Sequence, residues 1–157
     1  MSPANILLLA LLIGILSGLR TFTATAATAW SKHLGWLALP RYFAWIGTLP
    51  AVATLTVLAL VELVYDKLPN IPPRTAPRGL TARIVTGTLT GACIAAAGAQ
   101  RTAVGAALGA IGAIAGAFGG YQVRKRLVKA TGAPDFVIGV MEDLVTIGGS
   151  LWVVTRF

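Results

Sequence analysis

The chain has 157 residues, 56% of them hydrophobic and only 11% charged, with a mean hydropathy of +0.79. A water-soluble domain of this length carries about 25% charged residues and could not hide so many apolar side chains in one core, so an ordinary soluble fold is excluded. The net charge of +8 would suggest nucleic acid in a soluble protein, but here the basic residues fall in short clusters between apolar runs, and no nucleic-acid partner is expected.

The first apolar run, residues 5–30, holds one charge, Arg20, inside "GILSGLRTFTATAATAW". "MSPAN" lacks the basic n-region of a signal peptide, and the run reads as a retained first helix. It is long enough to tilt or break, and "SGLR" is the expected place. Ala10, Gly14, Ser17, Thr21, Ala24 and Thr28 form a small-residue stripe flanked by Arg20.

Residues 31–43 hold too few apolar positions to span a membrane. The second predicted span, 44–66, starts beside Pro50 and ends with Glu62 and Asp66 one turn apart. Prolines make 67–80 an extended connector. The third and fourth spans, 81–99 and 102–123, are joined only by "AQR" and predict a tight antiparallel hairpin. In the fourth, Gly105, Gly109, Gly112, Gly116 and Gly119 recur at spacings of four and three, a packing face for a neighbouring backbone. Gly87 and Gly91 repeat the device. The fifth span, 135–155, places Glu142, Thr146 and Gly149 on one face with Asp143 and Ser150 beside them.

These readings give an all-α, single-domain polytopic membrane bundle of about five spans, with the lipid bilayer as its first partner. Trp30, Trp36, Tyr42, Trp45 and Trp152 fall near span ends, as aromatic belts do. Lys67, Arg74, Arg78, Arg83, Arg124, Lys125, Arg126 and Lys129 outnumber Lys32, Arg41, Arg101 and Arg156 on the other side. With five crossings, that places the N-terminus inside and the C-terminus outside a bacterial inner membrane. Gly14/Gly18 set against Gly112/Gly116 hint at a weak inverted repeat.

An unpaired charge at the centre of a membrane helix costs about 2.5–3.5 kcal/mol on insertion scales. Arg20 therefore needs partners. From Asn5 it lies ~22 Å up its helix, and Glu142 lies ~12 Å up from Pro134, a gap of ~10 Å that two long side chains can close. Arg20 is thus expected to be the counter-charge of Glu142 and Asp143. Glu62 and Asp66 are expected nearer the rim, meeting Lys67 or Arg83. The acids then outnumber the interior arginine and leave one carboxylate over, free to bind a cation or proton. The expected pathway residues are Arg20, Thr21, Glu62, Asp66, Glu142, Asp143 and Thr146, with Thr25 beside them.

At "SGLRTF", "VELVYDKLP" and "VMEDLVTIGG" the chain resembles the bacterial membrane-protein family of domain of unknown function 4126. The resemblance rests on Ser17–Arg20, on Glu62, Asp66, Lys67 and Pro69, and on Glu142/Asp143. It implies the architecture and the choice of residues and names no activity.

A transporter or channel with a buried Arg/carboxylate site is the first functional expectation, as a homodimer or small homo-oligomer packed through glycine faces. A non-catalytic scaffold in which the charges fix helix register is the alternative. A lipid enzyme using the carboxylates and His33 comes third: no Ser/His/Asp ordering, HExxH spacing or phosphate loop is present. No cofactor or metal is expected from one cysteine, Cys93, and one histidine.

Overall fold

The structure, a computed structural model, describes residues 1–66 and 75–157. Those residues form six α-helices and no strand: α1 Pro3–Leu19, α2 Thr21–His33, α3 Leu49–Tyr65, α4 Pro77–Ala97, α5 Thr102–Thr131 and α6 Asp135–Val154. A 3-10 helix, Arg41–Gly47, precedes α3 at a 56° bend. Three helices, α4, α5 and α6, are long and apolar enough to cross a membrane, or four if the bent pair is counted as one span. Apolar side chains such as Val57, Leu60, Val85, Ile111, Leu144 and Val145 point outward, the arrangement of a membrane protein. The extended connector expected at 67–80, with Lys67, Pro69 and Arg74, lies outside the described residues as far as residue 74; residues 77–80 already belong to α4.

Five through-going spans are not confirmed among the described residues. The first expected span splits at Arg20 into pieces of 17 and 13 residues. Arg20 is extended, at φ −137° and ψ 118°, and no proline causes the break. The direction of each piece follows from its neighbours. α1 runs antiparallel to α4, with Ile6 against Gly98 and Ser17 Oγ 3.2 Å from Thr90 Oγ1. It runs parallel to α5, with Gly14 against Gly109 and Gly18 against Ala113 and Ala117. It runs antiparallel to α6, where Asp143 meets Arg20 and Gly149 meets Leu16. α2 shares a groove with Ile147 and Leu151, both on the C-terminal side of Asp143, so it returns along α6. The chain therefore doubles back at Arg20.

The end of the bundle holding Ile6, Gly98 and Trp152 is the upper end, and Arg20 lies toward the lower. α1 descends, α2 ascends, α3 descends antiparallel to α2, and α4, α5 and α6 alternate in turn. Both termini consequently lie at the upper end. Their expected placement on opposite sides assumed an odd number of crossings, which the turn at Arg20 removes. The repeat pairing fails for a related reason: α1 and α5 are parallel and pack on each other, where an inverted pair would be opposed.

Glycines hold one half together. A Cβ on Gly109 would lie 2.9 Å from the Gly87 carbonyl carbon and 3.0 Å from Gly91 Cα; one on Gly112 would lie 2.8 Å from Ile15 N. Gly105 and Gly109 thus face α4, while Gly112 and Gly116 face α1. Gly119 meets nothing within 4 Å and takes no part. In the other half α2 is wrapped by α3, α4 and α6, and α3 buries only Val52, Ala59 and Glu62. Ile13, Leu37, Ile46, Ile94, Val153 and Val154 form the apolar core above the Arg20 level. All four tryptophans, Trp30, Trp36, Trp45 and Trp152, are exposed at the upper end.

α5 is longer than the expected span: it continues as helix through Arg124–Lys129 to Thr131 and stops at Gly132, whose φ of +66° suits a residue without a Cβ.

Candidate functional site

Arg20 is fully buried at the tip of the α1–α2 turn. Its Nη1 contacts Asp66 Oδ2 at the end of α3, and its Nη2 lies 2.5 Å from Asp143 Oδ1 on α6. Nε finds no hydrogen-bond partner among the described residues. One guanidinium thus ties two helices, α3 and α6, to the turn. Of the two expected α6 partners, Asp143 sits on Arg20 and Glu142 does not.

Glu62 has a different task from the rim acid expected of it. The start of α2 leaves amide N–H groups without helical acceptors. Thr21 N donates to Glu62 Oε1 at 2.7 Å and Phe22 N to Oε2 at 2.8 Å. A carboxylate at a helix N-terminus also opposes the positive end of the helix dipole. α3 therefore caps α2 with one side chain and holds its arginine with another, Asp66, four residues on. Arg83 Nη2 stands 3.8 Å from Glu62 Oε1, and its Nη1 donates to Gly79 O at 3.1 Å.

Glu142 turns to Arg124, with 3.6 Å between Oε2 and Nη1. Arg124 also donates twice to Asp135, at 2.8 and 2.6 Å. Gly139 makes room, since a Cβ there would sit 3.2 Å from Arg124 Nη2.

Each of the chain's five carboxylates thus has an arginine partner. The expected carboxylate without a partner is not there, although five acids share three arginines. Arg83 meets Glu62, one of the pairs expected, whereas Arg124 was counted only as a loop charge that orients the chain; because α5 runs to Thr131, it lies inside a helix and reaches the acids. A faint signal preceded them: Arg83 sits in "TARIVTG", an apolar stretch, and Arg124 opens its basic run immediately after 22 uncharged residues.

Above the arginine the lining turns to hydroxyls. Thr25, Thr28, Thr146 and Ser150 are all buried. Thr146 Oγ1 donates to Glu142 O at 2.8 Å and Thr25 Oγ1 to Thr21 O at 3.1 Å, so both are spent on their own helices and keep only acceptor capacity. Ser150 Oγ has no hydrogen-bond partner among the described residues. Exposure rises toward the lower end, from 0% at the Arg20 side chain to 10% at Asp143, 17% at Asp66 and 66% at Asp135. His33 stands at the opposite end of α2, its Nδ1 2.9 Å from Gly47 O, too far from the carboxylates to act with them. Cys93 is buried in α4. Among the described residues, no three of His, Cys, Asp or Glu are grouped to hold a metal ion.

The family described as Domain of unknown function (DUF4126) matches residues 7–155, nearly the whole chain. The chain belongs to this family. The match covers the turn at Arg20, both α3 acids, Arg83, Arg124 and the α6 pair, so the whole ion-pair layer is part of the family domain. No curated protein and no solved structure matches the chain.

Proposed function

We propose that this DUF4126 protein is a small integral membrane transporter or channel for an ion or small solute, with the Arg20 layer as its site. The observation that carries this reading is the helical turn-back ending on a fully buried arginine between acids of two other helices. α5 holds 22 uncharged residues, 102–123, about 33 Å of helix, against a hydrocarbon core of ~30 Å. Gly18 is level with Ala113 and Ala117, so Arg20 lies roughly 10 Å short of Arg124 and of the lower boundary. α1 and α2 then form a re-entrant hairpin. Irregular backbone at membrane depth is tolerated where it is buried in protein or lines a cavity, and broken helices in transporters are such places.

The lower end holds Arg78, Lys125, Arg126 and Lys129, which supports a cytoplasmic lower end in a bacterial inner membrane with both termini outside. Access to Arg20 is from the lower end, where exposure rises; the apolar core closes the upper end. A homodimer or small homo-oligomer would cover the sparsely buried α3.

Flux of cations, anions and protons into proteoliposomes, wild type against Asp143→Asn, tests the reading. Loss of flux in a monodisperse, inserted variant supports it; a silent wild type, or a fully active variant, refutes it. Complete pairing of the carboxylates favours a second reading, a scaffold in which the charges set helix register. That reading predicts stability effects without flux.

A further inference from the structure

Ala117 is the last buried residue of α5, yet the helix runs on to Thr131. This end carries Lys125, Arg126 and Lys129, all exposed. None of the three pairs with an acid among the described residues, and each of the five carboxylates is already held by Arg20, Arg83 or Arg124. Antiparallel packing sets Gly91 against Gly105 and Gly87 against Gly109 and Ala113; continued downward, the register brings exposed Arg78 opposite the stretch just before Lys125. Four cations thus gather at one end, none of them within ion-pair distance of a carboxylate among the described residues.

We propose that Lys125, Arg126 and Lys129, with Arg78, form a binding surface for the anionic phospholipid headgroups of the lower leaflet. The proposal rests on the membrane placement and is independent of transport. Depth selects a lipid over a soluble polyanion. The uncharged stretch of α5 fills the hydrocarbon core, so the charges that follow it come level with the phosphodiesters. Exposed Tyr121 and Val123, just above the charges, suit the boundary between acyl chains and headgroups. Lys125 and Lys129, one turn apart, present two ammonium groups from one face, and Arg126 widens the patch. Juxtamembrane basic residues are attracted to anionic leaflets in this way.

The test uses the full chain in mixed micelles with equal phosphatidylglycerol and phosphatidylcholine, and native mass spectrometry counts the lipids retained. Wild type should keep phosphatidylglycerol at least about tenfold over phosphatidylcholine, and Lys125→Gln/Arg126→Gln/Lys129→Gln should bring the ratio near one. Lys125→Arg/Lys129→Arg, which keeps the charge, should retain the preference. If the triple variant fails to fold by circular dichroism, Lys125→Gln/Lys129→Gln is read instead, with a partial loss expected. An indifferent wild type, or glutamine variants that keep the full preference, overturns the proposal. So does displacement of the lipid by equimolar inorganic phosphate, by an acidic peptide or by an oligonucleotide.

Discussion

Replacing Glu62 by glutamine tests how the turn at Arg20 is held. The side chain keeps its shape and one oxygen, so one of the Thr21 and Phe22 amides still finds an acceptor. The other meets an NH2 group, donor against donor, at a buried site. Leaving a buried donor unpaired costs about 1–3 kcal/mol, and the surviving bond falls from charge-assisted to neutral, a loss of about 1 kcal/mol. Removing a negative charge from a helix N-terminus adds about 0.3–1 kcal/mol. The sum is about 3 kcal/mol, or roughly 6–12 °C in melting temperature for a chain of this size. Tryptophan fluorescence during a thermal melt in detergent reads it, with Asp135→Asn as the control. That residue is two-thirds exposed, and its pair with Arg124 should move the midpoint little. If Glu62→Gln melts within about 2 °C of wild type, the amides of α2 have another acceptor and α3 does not hold the turn.

Other outcomes follow from the same geometry. Gly109→Ala drives a Cβ into the α4 backbone, an overpacking of about 1–3 kcal/mol, whereas Gly119→Ala meets open space and should be neutral or slightly stabilising; equal melts for the two would refute the close approach of α4 and α5. Arg20→Met leaves a buried and a part-buried carboxylate facing each other and should lose about 3 kcal/mol, with Arg20→Met/Asp66→Asn/Asp143→Asn recovering part of it; a triple variant no more stable than the single one would deny the pairing. In a Cys93→Ala background, cysteines at Ser2 and Phe157 should react with an impermeant thiol reagent from one side of the membrane and a cysteine at Lys125 from the other. Labelling of the two ends from opposite sides would restore a single crossing for residues 3–33.

What the sequence made legible was the apolar length of each segment and the periodicity of its small residues. The glycine stripe of α5 was readable because helical spacing alone puts Gly105, Gly109, Gly112 and Gly116 together, although one stripe serves two neighbours, which spacing does not reveal. "SGLR" was readable as a break; the reversal of direction there was not. Hydropathy carries no direction, and residues 5–30 satisfy one tilted helix as well as two opposed ones. The deciding groups are distant: Glu62 caps α2 from 40 residues away, and Gly18 seats α1 on α5. The choice between Glu142 and Asp143 was equally hidden. Adjacent residues on a helix point about 100° apart, so an argument from axial reach cannot separate them. Arg124 resolves it by taking Glu142, and it does so only because α5 stays helical beyond the expected end.

The position of the ion pairs bears on how such a small bundle could change shape. α1, α4 and α5 touch backbone to backbone across Gly14, Gly18, Gly87, Gly91, Gly105, Gly109, Gly112 and Gly116, where there is no side chain to swing and little room to slide. α2 and α3, by contrast, meet through side chains, and α6 makes looser contact with both halves. Arg20 stands where the two halves join: its backbone links α1 to α2, while its guanidinium holds α3 and α6. A movement of α2, α3 and α6 against the glycine-packed half would have to part Arg83 from Glu62 and Arg124 from Asp135 and Glu142, and, if Arg20 stayed with α1, Arg20 from Asp66 and Asp143. The same contacts that make Arg20 affordable inside an apolar bundle also make it the joint on which the bundle would turn.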